Sequence, residues 1–175
     1  MSATGQPVPI VGGVRLTGKH GPHNIGFFDM QTESAYGNPG DNFLVGRYSR
    51  DILRRSRVGA LVINKETTVG RSHYNRAVGA DASLALGRSL QVTSFIAKTI
   101  SPGKSGEDMA LFGRAQFRSA RWYWWLQHLD VQRNFNPEVG FVQRPGELRV
   151  TKGYFSRTPR PRKWHIRVQI GRAHV

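Results

Sequence analysis

The chain has no cysteine among its 175 residues, which excludes a disulfide scaffold and a thiolate zinc site. No run of 18 apolar residues occurs, so no helix is apolar enough to cross a bilayer, although a barrel of strands needs no such run. The opening Met1–Pro7 lacks the basic region and apolar core of a secretory leader. Either the protein is not exported or its true N-terminus lies upstream. Acidic residues are scarce, with 11 Asp+Glu against 26 Lys+Arg and a formal charge of +15; twenty of those cations are arginine.

Such a charge raises nucleic acid as a partner, because neutralising phosphates supplies most non-specific affinity. Here the cations are spread along the whole chain and often occupy alternate positions in strand-like runs. A nucleic-acid arm would collect them in one block or on one helix face, so nucleic acid is the less favoured partner.

What is present is alternation with period two. Ile10, Gly12, Val14, Leu16 and Gly18 oppose Val11, Gly13, Arg15, Thr17 and Lys19. Asn24–Thr32 follows a Gly21-Pro22 turn, and Asn42–Arg50 and Arg57–Asn64 flank the charged Asp51–Ser56, where Asp51–Arg55 could make one helical turn. Tyr74–Leu86 is the cleanest run: Val78, Ala80, Ala82, Leu84 and Leu86 share a face that Arg76 interrupts. Leu90–Ile96, Met109–Arg118 and Trp122–Gln127 alternate likewise, and Val139–Arg144 and Leu148–Phe155 predict two shorter strands. Pro159 and Pro161 make Arg157–Lys163 a loop or interrupted edge. No stretch repeats at 3.6.

The connections alternate in length. Short breaks at His20–His23, Asp51–Ser56, Gly87–Arg88 and Ser119–Ala120 interleave with long ones at Glu33–Asp41, Lys65–His73 and Ile100–Asp108. Outer-membrane barrels have this rhythm, with tight turns on one side of the bilayer, longer loops on the other and strands of about 9–11 residues between. The fold class expected is therefore all-β: an antiparallel up-and-down meander of about eight to ten strands, part of an outer-membrane-type β-barrel and incomplete without further strands to close its edges. The Trp122–Trp125 cluster beside a short turn fits an interfacial aromatic girdle, and equally the core of a β-sandwich.

Residues 1–169 are read as one partial barrel-like domain. Ile170–Val175 is similar to one reading frame of a common sequencing adapter and is set apart from fold reasoning; a natural basic tail is the alternative.

The blocks Pro9–Lys19, Ile25–Thr32, Asn42–Ser56, Lys98–Gly103 and Phe135–Phe141 together resemble the barrel-like domain of unknown function DUF5916, over about residues 8–160. Full-length members are exported bacterial proteins that carry a carbohydrate-binding-family-9-like module before this region. The resemblance implies outer-membrane localisation, outer-membrane lipid as a partner, and carbohydrate as a partner only through the absent module. It carries over no catalytic residue.

Candidate chemistry is sparse. Glu138 is the most tempting acid, but glycoside hydrolysis needs two carboxylates across one bond; no spacing pairs Glu138 with Asp130, Asp81 or Asp29, and a lone carboxylate at a turn is commonly a cap or a cation's partner. His20, His23, His73, His128 and His165 show no metal-ligand spacing, and no glycine run is followed by Gly-Lys-Ser/Thr. No catalytic, metal or cofactor residue is therefore assigned. The cluster Asp51, Arg54, Arg55 and Arg57 reads as a charged water-side turn or a docking patch. Arg15, Arg114, Arg118 and Arg121 are the candidate lumen-facing cations, able to bias a pore toward anions or to pair with wall carboxylates such as Asp81. The function expected is a non-catalytic barrel segment of a carbohydrate-associated exported protein. Its rivals are a secreted glycan-active β-domain and a basic nucleic-acid-binding β-protein that stacks bases on Trp122–Trp125.

Overall fold

In a computed structural model, which describes residues 7–37, 39–68, 73–139 and 146–159, the chain is a single nine-stranded antiparallel sheet. The strands are β1 (Ile10–His20), β2 (His23–Thr32), β3 (Asp41–Ile52), β4 (Ser56–Thr67), β5 (Tyr74–Leu86), β6 (Leu90–Ile100), β7 (Met109–Arg118), β8 (Trp122–Val131) and β9 (Leu148–Arg157). Each pairs with its neighbours in sequence, so the order in the sheet is the order in the chain. The sheet does not close: β1 and β9 each have a single strand partner.

The expected rhythm of connections is present. Tight turns at Gly21–Pro22, Leu53–Arg55, Gly87–Ser89 and Ser119–Arg121 lie at one end, and the long connections that open at Glu33, Thr68, Ser101 and Gln132 lie at the other. The period-two runs become strands whose alternate side chains fall on opposite faces of the sheet. One face is mainly apolar, and the other mixes polar residues with Phe28, Leu61, Ile63, Phe95 and Phe112. The charged segment after Arg50 differs from the helical turn expected of it. Asp51 and Ile52 continue β3, and Leu53–Arg55 is a hairpin turn with Leu53 at a positive φ of 54°. Arg157 likewise closes β9 rather than opening a loop. The strand expected at Val139–Arg144 lies outside the described residues except for Val139, a bend, and Ile170–Val175 lies wholly outside them.

The strands are staggered in one direction. A row of directly opposed residues starts at His20, the last residue of β1, and passes through Arg50, Ala82 and Gly113 to Thr151. These lie two, four, five and six residues before the ends of β3, β5, β7 and β9. Six residues over eight strand steps, at about 3.3 Å per residue and about 4.8 Å per strand, slants the strands by roughly 25–30° against the line of turns.

No second layer covers the sheet: among the described residues each strand packs only against its neighbours. Among the described residues the buried apolar side chains are Ala77 and Ala110 alone, and the one fully buried large side chain is Asn75.

Opposed pairs share a face, so the register assigns every side chain. One face carries an apolar band: Leu16 opposes Phe27, Val62 opposes Val78, Ala80 opposes Ile96, Ile96 opposes Leu111, and Trp124 opposes Phe155. Leu16 is 62% exposed, Leu126 55% and Phe155 64%. Polar pairs bound the band toward the long connections and, on β1–β3, toward the tight turns, whereas β5–β7 stay apolar to their turns at Leu86, Leu90 and Phe117. His20, His23 and Arg50 stand toward the tight turns, and Gln31–Asn42, Asn64–Arg76 and Asp130–Arg149 toward the long connections.

Candidate functional site

The opposite face gathers the chemistry. Its polar character comes from the other half of each alternating run: Arg15 and Thr17 on β1, Arg47 and Ser49 on β3, Asp81 and Ser83 on β5, and Arg114 and Gln116 on β7.

Toward the long connections this face is covered by its own chain. After β8, Gln132–Glu138 turns inward and crosses β7, β6 and β5. Gln132 starts the crossing: its N–H donates to Met109 O at 2.9 Å, and its side-chain oxygen accepts from Met109 N–H at 2.9 Å. Asn134 Nδ2 donates to Gly106 O at 2.8 Å. Asn136 N–H donates to Thr99 Oγ1 at 3.0 Å. Asn75, fully buried beneath, donates from Nδ2 to Asn136 O at 2.7 Å and to Ser101 Oγ at 2.8 Å, and accepts from Glu138 N–H at 3.1 Å. An asparagine suits this position because it alone, with glutamine, offers two donors and an acceptor on one short neutral group. The crossing ends where Lys65 Nζ on β4 meets Glu138 Oε2 at 3.0 Å and Asp41 Oδ2 at 3.3 Å. Glu138 is thus a lysine's partner and a backbone anchor.

At mid-height Arg47 on β3 forms a two-pronged ion pair with Asp81 on β5, its Nη2 lying 2.9 Å from Asp81 Oδ1. The pair spans β4 at Gly59. A Cβ there would lie 2.6 Å from Arg47 Nη2 and 3.1 Å from Asp81 Oδ2, so the absence of a side chain makes the bridge possible.

Three of the four cations singled out from sequence share this face. Arg114 lies with its guanidinium carbon 4.9 Å from the Trp125 ring centroid and donates to Gln116 Oε1 at 3.1 Å. Arg118 lies 4.8 Å over Tyr123. Arg15 stands on β1, six strands from Arg114 and about 29 Å along the sheet at about 4.8 Å per strand, so the three are not one cluster. Arg121 belongs to the β7–β8 turn, where its carbonyl accepts from Thr158 N–H at 2.9 Å. Sequence reasoning left out Arg47, although its alternate position in Asn42–Arg50 was the available signal; Asp81 pairs with it.

The aromatic run Trp122–Trp125 divides between faces. Trp122 and Trp124 stand on the apolar side against Phe155 and Phe117, with centroids 5.5 and 5.8 Å apart, and Trp125 stands on the polar side, 6.4 Å from Tyr154. The four rings therefore form no single stacking platform.

The carboxylates are likewise dispersed. Asp130 and Asp29 lie on the apolar face, paired with Arg149 and near Asn42 Nδ2, whereas Asp81 lies on the polar one. Among the described residues no three His, Asp or Glu side chains are grouped to hold a metal ion, and no helix is long and apolar enough to cross a membrane. Comparison with protein-family models, curated proteins and solved structures finds no match.

Proposed function

We propose that the chain is a wall segment of an outer-membrane-type β-barrel, with its apolar face toward lipid and its polar face toward a lumen, serving as scaffold or passage without catalysis of its own. The observation that carries this is the near-absence of a core. A sheet must bury its apolar face against something. Here residues such as Leu16, Ile25, Val62, Ile96, Leu126 and Phe155 remain open to solvent, while among the described residues Ala77 and Ala110 are the only buried apolar side chains. Hydrocarbon is the phase that satisfies such a surface without a second layer.

Three features agree with it. The band is bounded by polar pairs toward the long connections and, on β1–β3, toward the tight turns, as headgroup regions demand. Phe117, Trp122, Trp124 and Phe155 gather on the apolar face near the tight turns, where an aromatic girdle belongs. The one-directional stagger slants the strands, as a sheet that curves into a barrel requires. On β5, Val78–Leu86 gives about 27 Å of apolar wall along the strand, at about 3.3 Å per residue. Slanted, it matches the band about 25 Å tall of such barrels. In this setting Gln132–Glu138 narrows the lumen at its long-loop end. The edges β1 and β9 meet further strands, in keeping with the resemblance to a barrel-like domain of exported proteins.

Two neighbouring residues test the assignment of faces. In variants that retain a single tryptophan, reconstituted in phosphatidylcholine, brominated acyl chains should quench Trp124 strongly and Trp125 weakly. Equal quenching of the two, or a chain that stays in the soluble fraction without lipid, rules the wall out.

A further inference from the structure

At the tight-turn end of the polar face two recesses adjoin, about 400 and 380 Å³ in volume, and Arg55 lines both. Arg54 and Arg57 complete the cationic wall of the first, and Arg88 and Arg118 that of the second. One carboxylate, Asp51, faces these five guanidinium groups, and it is already shared between Arg57 at 2.6 Å and Lys19 at 3.2 Å. Among the described residues no acidic side chain pairs with Arg54, Arg55, Arg88 or Arg118.

We propose that this double recess is a binding site for an anion with two linked phosphoryl groups, of the pyrophosphate type. Several of the arginines are held in place before any ligand arrives. Arg55 Nη2 donates to Gly87 O at 2.6 Å, tying the β3–β4 turn to the β5–β6 turn and fixing the partition between the recesses. Arg57 is held by Asp51, and Arg118 rests over Tyr123. The remaining wall supplies neutral donors: the Ser83 hydroxyl in the first recess, and the Ser89 hydroxyl and the Gln91 and Gln116 amides in the second.

Charge selects the ligand. Guanidinium forks suit carboxylate and phosphate alike. With Arg57 already paired to Asp51, a single carboxylate compensates one of the four remaining cations and leaves three facing each other, whereas two linked phosphoryl groups place charge in both recesses at once and accept from turns on either side of Arg55. The site is built on the sheet itself and does not depend on what covers the apolar face.

The test is calorimetric titration of the full chain with inorganic pyrophosphate, in a non-ionic detergent at fixed salt. Saturable one-to-one binding is expected, weakened about tenfold or more by Arg55→Gln with Arg118→Gln, and unaffected by Arg149→Gln on the far end of the other face. Arg88→Gln, a turn substitution that removes no intrachain ion pair, should weaken it too and serves if the double variant fails to fold. Capture by phosphatidylcholine vesicles doped with a polyprenyl pyrophosphate, lost with the same arginines and absent with phosphatidylcholine alone, also supports diphosphate recognition and assigns the source to a lipid headgroup. Absence of saturable binding to either probe, or equal loss with Arg149→Gln, overturns the site.

Discussion

Arg47 and Asp81 meet across a strand that belongs to neither of them. The guanidinium on β3 and the carboxylate on β5 lie over the bare backbone of Gly59 on β4, so the ion pair and the glycine are one device. Both side chains are about a third exposed, at 38% and 34%, and solvent screening holds such a pair to about 0.5–1 kcal/mol. A double-mutant cycle with Arg47→Leu and Asp81→Asn, read by urea unfolding in detergent, should return a coupling in that range. In a Gly59→Ala background the coupling should vanish, because the methyl occupies the path of the guanidinium. A coupling unchanged by Gly59→Ala contradicts the geometry.

Asn75→Ala should release the inward crossing. The substitution strands Asn136 O, Ser101 Oγ and Glu138 N–H at a fully buried position, and a buried group without a partner costs about 1–3 kcal/mol. A loss of about 2–3 kcal/mol is expected, with faster amide exchange concentrated at Asn136 and Glu138. Asn75→Asp should fail to rescue, since a carboxylate accepts from Glu138 N–H but donates nothing to Asn136 O.

Leu53→Gly should stabilise the protein. Leu53 sits at φ 54° and is 81% exposed, so the side chain contributes strain without burial. The left-handed conformation costs about 1–2 kcal/mol for a residue with a Cβ, partly offset by the greater freedom of glycine in the unfolded chain. A rise of about 0.5–1 kcal/mol in unfolding free energy is expected.

Leu126 and Gln127 separate the faces by a charge test. Leu126 lies mid-strand on the apolar face, opposed by Ala115 and Gly153, and Gln127 lies on the polar face, opposed by Arg114 and Lys152. Leu126→Arg should cost about 2–4 kcal/mol on reconstitution into lipid, the price of a cation near the midplane, and Gln127→Glu should cost little. Insertion yields that are indifferent to Leu126→Arg remove lipid as the covering phase.

The strands are largely legible in the sequence because one face of the sheet carries an apolar band across its middle. Tyr74–Leu86 was bounded correctly from its alternation alone. Asn42–Arg50 and Arg57–Asn64 were drawn too short, since β3 and β4 run on through Asp51, Ile52, Lys65, Glu66 and Thr67. These polar ends carry ladder hydrogen bonds but little apolar signal, and the alternation fades where the band meets its polar margin.

Contacts set by register were not legible. Arg47 and Asp81 are 34 positions apart, and only the pairing of three strands brings them together; Asp81 was offered as a partner to four other arginines. The crossing of Gln132–Glu138 is not legible in the sequence, because its anchors, Asn75 and Thr99, belong to strands read for their apolar positions. The cluster at Arg54, Arg55 and Arg57 was seen along the chain, whereas Arg88 and Arg118 joined it only once neighbouring turns lay side by side.

The strand count has an arithmetic of its own. In a meander of nine, the first and last members travel the same way, both toward the tight turns. Drawn together, β1 and β9 would meet along a parallel seam, and two copies set around one axis would carry two such seams. A ring that is antiparallel throughout requires one further strand, or another odd number of them, so parity alone constrains whatever completes this wall.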